Sequence, residues 1–336
     1  MRGQQQLELL HQLCSCYKPR FLYSLLYLHP SPSQQTTTST LHLKMTTDRD
    51  ALTSRQVPSM ELSTGTPTSK TGPTPHATSA AQRFAITGNA VVTGGAGTLG
   101  LTACTALLEH GLRGLLILDM NPSTSDAEIT DLRKRFPTAK ILTAQVDITD
   151  EDAVDAAFGD AARDLGSVDI LCCFAGIVGC ADALTMPPSQ FRKVLDVNTT
   201  GAFICAQAAA KRMVEQGTGG AITFIASISA HRVNFPQPQL AYNVSKTGLL
   251  MMKNCLAAEW ARYGIRTNTI SPGYMDTILN EGDGLQGHRR IWAERNPFGR
   301  MGVPGELTGA VVLLSSEAGG YINGADIVVD GGGIVF

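Results

Sequence analysis

The 336-residue sequence is short of several things, and each shortage closes a class of function. Neither sign of charge dominates: 27 lysines and arginines stand against 29 aspartates and glutamates, for a net charge of −2. Such a balance leaves no electrostatic footprint for nucleic acid or an anionic membrane. Long apolar runs are missing. The longest near the start, Phe21–Leu28, falls far below the roughly 20 residues of a spanning helix, and no small-residue cleavage site of the secretory type accompanies it. The eight cysteines show no paired C-x2-C spacing, so neither a zinc site nor any other metal is expected. Cys104, Cys172, Cys173, Cys205 and Cys255 lie in apolar runs and read as buried thiols in a reducing compartment, while Cys180 sits in a glycine-rich loop. The 34 glycines form short runs without a repeat, which excludes a collagen-like chain. What is plentiful is hydrophobic material, 43% of residues, enough for one sizeable core.

Composition changes once along the chain. Residues 31–79 are crowded with Ser, Thr, Pro and Gln and lack apolar periodicity, so residues 1–83 are expected to be a disordered leader. Up to Lys44 that leader holds one acid, Glu8, against Arg2, Lys18, Arg20 and Lys44. This composition fits a mitochondrial transit peptide, although the prolines flanking Ser31 argue against one, and Met45 is an alternative start. The expected location is the cytoplasm, with the mitochondrion as the alternative.

From residue 84 to 336 short β-branched runs alternate with helical patterns. Strands are expected at Val91–Thr93, Leu115–Leu118, Ile141–Val146, Val168–Phe174, Ala221–Ala226, Arg266–Ile270 and Asp326–Val329. Helices are expected at 102–110, 124–136, 150–165, 188–213 (one helix or two), 242–263 and 307–314. Continuous apolar strands separated by helices predict an α/β fold: a doubly wound, Rossmann-type parallel sheet in a single domain.

The first strand runs into Thr93-Gly94-Gly95-Ala96-Gly97-Thr98-Leu99-Gly100 and then a helix, so Gly95-x-Gly97-x-x-Gly100 stands where a dinucleotide pyrophosphate binds. The second strand ends in Asp119, followed by Met120. An acid there accepts from a ribose 2′-hydroxyl and repels a 2′-phosphate. No lysine or arginine lies in the turn or just after Asp119, so NAD(H) is favoured over NADP(H). Asp147, followed by Ile148, closes the third strand within reach of an adenine; it reads equally as an acid before a helix.

Tyr242 and Lys246 open a long helix, and four residues' separation puts them on one face. An ammonium near a phenol stabilises the phenolate and moves its pKa toward the working range. Ser227 ends a strand, where a hydroxyl can donate to a carbonyl or alkoxide, and Asn198 lies on the preceding helix, where it can hold a water for proton relay.

These residues resemble the short-chain dehydrogenase/reductase family over nearly all of 84–336. The markers come in order: the turn at 93–100, Asp119, Asp147, Ala175-Gly176, Asn198, Ser227, Tyr242-x-x-x-Lys246, Pro272-Gly273 with Thr277, and the closing Gly324–Gly332 segment. The resemblance implies a NAD(P)-dependent enzyme acting on CH–OH groups. In it Tyr242 is the general acid/base, Lys246 lowers its pKa and binds the nicotinamide ribose, Ser227 (rather than Ser229) orients the reacting oxygen, and Asn198 serves the relay. Pro272, Gly273, Met275 and Thr277 would shape the nicotinamide side. It further implies a homo-oligomer, dimer or tetramer, built on the helices at 188–213 and 242–263. Two departures stand out. The turn follows T-G-x-x-G-x-x-G rather than the compact members' T-G-x-x-x-G-x-G, and Cys173-Phe174-Ala175-Gly176 replaces N-N-A-G. The segments at 234–239 and 270–284 are similar to those of fungal polyol dehydrogenases and ketose reductases of the D-arabinitol 2-dehydrogenase and sorbose reductase type. Asn234, Gln237, Gln239 and His231 would then suit a hydroxylated small-molecule substrate, under a lid at 275–300 carrying Trp292 and Phe298.

Overall fold

The computed structural model describes residues 58–63, 79–277, 280 and 282–335. The chain divides into two units, Met1–Pro58 and Ser59–Phe336, and the first falls almost wholly outside the described residues. So does most of the expected leader. A five-residue helix, α1 (Ala80–Phe84), precedes the first strand, capped by a reciprocal Ser79–Gln82 box.

Among the described residues seven strands form one parallel sheet in the order β3-β2-β1-β4-β5-β6-β7. They are β1 (Asn89–Thr93), β2 (Gly114–Asp119), β3 (Lys140–Gln145), β4 (Ile170–Cys173), β5 (Gly220–Ile225), β6 (Ile265–Pro272) and β7 (Asp326–Val329). Period-2 alternation sends successive side chains to opposite faces. Val91, Leu116, Leu118, Leu171 and Phe224 therefore join one core cluster, and Ala90, Val92, Leu115, Ile117 and Ile170 the other. Helices α4 (Glu151–Leu165), α6 (Ala202–Gln216) and α7 (Leu240–Trp260) cover the first cluster. Helices α2 (Thr98–Glu109), α3 (Asp126–Arg135) and α9 (Thr308–Ser315) cover the second. Fully buried side chains such as Phe158, Phe224 and Leu171 each contribute about 1.5–3 kcal/mol of transfer free energy.

Two helices differ from the expected pattern. Helix α2 starts at Thr98 because Gly97 serves as its N-cap, so part of the glycine-rich run is already helical. The span read as one helix or two is continuous but irregular: α5 (Pro188–Leu195) passes through a π-helical segment, Asp196–Gly201, into α6. Single π turns inside helices often mark functional positions. This one carries Asn198. The strand order reverses between β1 and β4, which lie side by side although they are not consecutive in the chain, and a parallel sheet binds its ligands beyond the carboxyl ends at such a switch point.

Candidate active site

The glycine turn lies at that point. Gly94 adopts a left-handed φ of 64°, and a Cβ on it would lie 2.5 Å from the Ala175 nitrogen. A Cβ on Gly100 would lie 2.2 Å from the Gly94 oxygen. Both glycines are therefore demanded by close packing of turn, helix and β4 exit. At Gly97 no side chain caps α2, leaving the first-turn amides directed outward as a phosphate requires. Leu99 packs on the second core cluster, and Gly95 and Thr98 complete the turn.

Asp119 is held beside the turn: Oδ2 accepts from Ala96 N at 3.1 Å and Oδ1 from Asn121 N at 3.1 Å. A carboxylate has about four acceptor positions, so capacity remains for a ribose diol. Met120 is exposed and Ile148 buried. Asp147 uses Oδ1 on Thr149, accepting from its N–H at 2.9 Å and its hydroxyl at 2.8 Å, and these bonds lower its pKa. Pro272 ends β6, and Gly273 N donates to Val329 O at 3.0 Å. Met275 turns into the second core cluster and Thr277 is buried. At Cys173 a hydrogen bond to Thr93 takes the place of an asparagine's strand ties, while burial raises its thiol well above the ordinary value. Cys104, Cys172 and Cys205 are likewise buried with raised pKa values. Such thiols are inert. Cys255, expected to be buried with them, is exposed on α7.

Four polar side chains from three parts of the chain meet beyond β4 and β5. Ser227 stands two residues past β5 as N-cap of a short 3-10 turn, its Oγ accepting from Ser229 N at 3.1 Å and lying 3.0 Å from Ser229 Oγ. It is within hydrogen-bonding reach of the Tyr242 phenol, whose pKa it lowers. Tyr242 lies in the first turn of α7, and Lys246 follows one turn later, its Nζ 5.5 Å from the centre of the Tyr242 ring. Lys246 is buried and donates to Ile225 O at 2.7 Å.

Asn198 is fully committed on its donor side. Its Nδ2 donates to Ile177 O at 2.9 Å and to Ser245 Oγ at 3.0 Å, while Oδ1 accepts from Ile177 N at 2.8 Å. These bonds tie the π turn to the β4 exit and to α7. The role of Ser245 was not visible in the sequence; the available signal was a serine three residues after Tyr242 on a helix face that is otherwise apolar.

Asn198 and Lys246 border one small space. A Cβ on Gly176 would sit 3.2 Å from Asn198 Oδ1 and 3.6 Å from Lys246 Nζ. The glycine thus keeps open a cradle bordered by an acceptor and a cation. Together with the open helix end and Asp119, these residues fit a nicotinamide dinucleotide.

Electrostatics differ from the expectation in one respect. Burial raises the Tyr242 phenol to about 12 and lowers the Lys246 ammonium to about 8. Desolvation disfavours both charged forms; at Tyr242 it outweighs the lowering hydrogen bond from Ser227, and the Tyr274 phenol adds to the rise. Lys246 lies over the ring and spends a hydrogen bond on Ile225 instead of on the phenol oxygen.

The other residues read as substrate-facing separate. His231 Nε2 is 2.9 Å from Asp326 Oδ2 and 3.2 Å from Ser271 Oγ, at the edge of the sheet. Gln239 donates to Cys180 Sγ at 3.3 Å. Asn234 and Gln237 both donate to the Tyr274 hydroxyl. In the expected lid, helix α8 (Gln286–Glu294) turns Trp292 inward while Phe298 is 70% exposed, so Phe298 covers nothing. Among the described residues no cluster could hold a metal, and no helix is long and apolar enough to cross a membrane.

The family model described as Enoyl-(Acyl carrier protein) reductase (adh_short_C2) matches residues 94–333, from the glycine turn to beyond β7. This chain belongs to the short-chain dehydrogenase/reductase family. It is an oxidoreductase that moves a hydride between NAD(P)(H) and a secondary alcohol or its ketone. Among its relatives in this family, a D-arabinitol 2-dehydrogenase (ribulose-forming) of Scheffersomyces stipitis is 34% identical over 258 residues, covering 72% of this chain and 92% of that protein. A probable NADP-dependent mannitol dehydrogenase of Yarrowia lipolytica is 35% identical, covering 75% and 89%. A gluconate 5-dehydrogenase from Burkholderia cenocepacia, solved with NADP and tartrate, superposes with a TM-score of 0.70 at 30% identity, covering 77% of this chain and all of that one.

Proposed function

We propose that the enzyme interconverts a polyol and its ketose, with Tyr242, Ser227, Lys246 and Asn198 as the reacting set. The observation that carries this reading is a chain of proximities: Ser227 reaches the Tyr242 phenol, Lys246 lies over the Tyr242 ring, and Lys246 and Asn198 border the same space at Gly176. The bound dinucleotide supplies the hydride donor or acceptor. Tyr242 gives a proton to the forming alkoxide, or takes one from the alcohol. Ser227, beside it, donates to the same oxygen and holds it in line. Lys246 has a buried ammonium whose lowered pKa lets it pass a proton near neutral pH, and it faces Asn198 Oδ1 across the cradle, where a relay would run. Lys246 would also hold the nicotinamide ribose. Around them Gly94–Gly100, Met120, Asp147, Ile148, Ala175 and the 272–277 segment would hold the cofactor.

NAD(H) is the preferred cofactor in this reading because Asp119 presents a carboxylate where a 2′-phosphate would sit and no cation follows before Arg133. The substrate class follows the relatives that act on arabinitol, mannitol and galactitol. Phe203, Val214, Val244 and Met251 are exposed on α6 and α7 and support pairing of copies through those helices. The free thiols fit a cytoplasmic setting. Assay of the full chain against arabinitol, mannitol, galactitol, ribulose and fructose, each with NAD(H) and NADP(H), tests the reading. Turnover of apolar ketones alone contradicts the substrate class, and turnover with NADP(H) alone contradicts the role of Asp119.

A further inference from the structure

Beyond Pro272-Gly273, Tyr274 enters the same crevice as Ser227, because β5 and β6 pair in register (Ile225 opposite Ile270) and the two residues follow the two strand ends. The Tyr274 ring is stacked on Trp292 with centroids 4.2 Å apart and planes 6° apart. Its hydroxyl accepts from Asn234 Nδ2 at 2.9 Å and from Gln237 Nε2 at 3.0 Å. The direction of the second bond is fixed by chemistry. Trp292 Nε1 can only donate, and it donates to Gln237 Oε1 at 3.1 Å, which leaves the Gln237 amide nitrogen facing Tyr274. Gln237 and Trp292 are both buried, so this orientation does not exchange with solvent.

A tyrosine hydroxyl has one proton and two acceptor positions. With both acceptor positions taken by amides, the proton has no acceptor among the described residues. The neighbouring Asn234 Oδ1 is buried and also without a partner. One unmet donor and one unmet acceptor therefore lie on adjacent side chains. Ile228, Asn234, Tyr274 and Trp292 help to line a recess of about 20 Å³, room for a single oxygen atom. Ile228 directly follows Ser227 in the chain, and Tyr274 lies close enough to the Tyr242 phenol to raise its pKa, which ties the recess to the reacting set. A hydroxyl is the common group that both accepts and donates, and a buried site built for one discriminates against a ligand without it.

We infer that Tyr274 reads a substrate hydroxyl on a carbon next to the reacting one, with Gln237, Asn234 and Trp292 as the residues that position it. The inference rests on the polyol/ketose reading and adds to it the residue that selects a hydroxylated neighbour over a bare methylene. It also reassigns Asn234 and Gln237, which hold the reader in place.

The test uses the full chain with reduced cofactor and four ketones: D-ribulose, D-fructose, and the 1-deoxy and 3-deoxy analogues of D-fructose. Tyr274→Phe keeps the ring on Trp292 and removes only the oxygen. The wild type is expected to favour fructose over one of the deoxy ketones, and the variant to lose about tenfold of that preference, the size of one net hydrogen bond. Its kcat/KM for the disfavoured deoxy ketone should stay within about twofold, which a merely structural role would not spare. Gln237→Met, which leaves the Tyr274 oxygen but frees its orientation, should lower the same ratio by a smaller factor and provides a second route if the first variant folds poorly. An unchanged ratio in a wild type that reduces fructose, or an equal fall for fructose and both deoxy ketones, overturns the inference alone. A wild type that reduces neither ribulose nor fructose overturns the polyol/ketose reading as well.

Discussion

The floor and the wall of the crevice are built on opposite terms. On the floor, Asn198 and Ser245 are closed by hydrogen bonds to Ile177 and Tyr242 O, Lys246 gives one of its three ammonium protons to Ile225 O, and all three side chains are buried. On the wall, Tyr274 and Asn234 each keep one hydrogen-bonding position unmet among the described residues. The bonds on Asn198 and Ser245 hold that part of the floor in a single geometry, as proton transfer at one atom demands. An unsatisfied pair leaves something for a ligand to complete, as selection demands. In the proposed function the contrast separates the residues assigned to the chemistry from those assigned to choosing what undergoes it.

The largest effect belongs to the floor. Tyr242→Phe should lower kcat by about a thousandfold, within the range of a lost general acid/base, while the cofactor still binds, as read by quenching of tryptophan fluorescence. A variant with near wild-type kcat breaks the contrast at its root. Next is the buried cation. Burial lowers the Lys246 pKa from the ordinary lysine value to about 8, so between pH 8 and about 10 the unfolded chain binds a proton there that the folded chain does not. Stability should therefore rise with pH across that window relative to Lys246→Met, by about 1.4 kcal/mol per pH unit at most. Urea unfolding of both proteins at pH 7.5 and 9.5 measures the difference; parallel curves would mean that Lys246 is not desolvated.

Smaller effects sharpen the picture at its edges. Asp119→Asn should improve kcat/KM with NADPH over NADH by about tenfold, because it removes a repulsive charge while keeping an oxygen for the Ala96 amide. No change in the cofactor ratio would move the source of selectivity elsewhere. Gly176→Ala should reduce kcat about fivefold with little change in melting temperature, since the added methyl meets only Asn198 Oδ1 at 3.2 Å and Lys246 Nζ at 3.6 Å. A large fall in melting temperature would show a packing role for the glycine and not a cradle.

Much of the floor was legible in the sequence because its signals are local. A glycine turn between strand and helix, an acid at the next strand's end and a tyrosine four residues before a lysine are all set by backbone periodicity. The alternation of strands and helices likewise gave the doubly wound sheet. What escaped depends on contacts distant along the chain. The π turn at Asn198 is tied across 21 residues to Ile177 and across 47 to Ser245. His231 was drawn 95 residues away to Asp326, and Met275 into the core beside Gly302. Residue type showed that 231–239 is polar, but not that Asn234 and Gln237 point at a tyrosine while Gln239 points at Cys180. The phenol's raised pKa escaped for the same reason, since desolvation is a property of the assembled core.

The most direct test is a crystal structure of the full chain with NAD(H) bound. The account predicts the nicotinamide ring beside the Tyr242 phenol, with its ribose hydroxyls on Lys246 and the adenosine ribose on Asp119. A dinucleotide seated with its nicotinamide away from Tyr242, or a Tyr242 hydroxyl turned to bulk solvent in that complex, would contradict it.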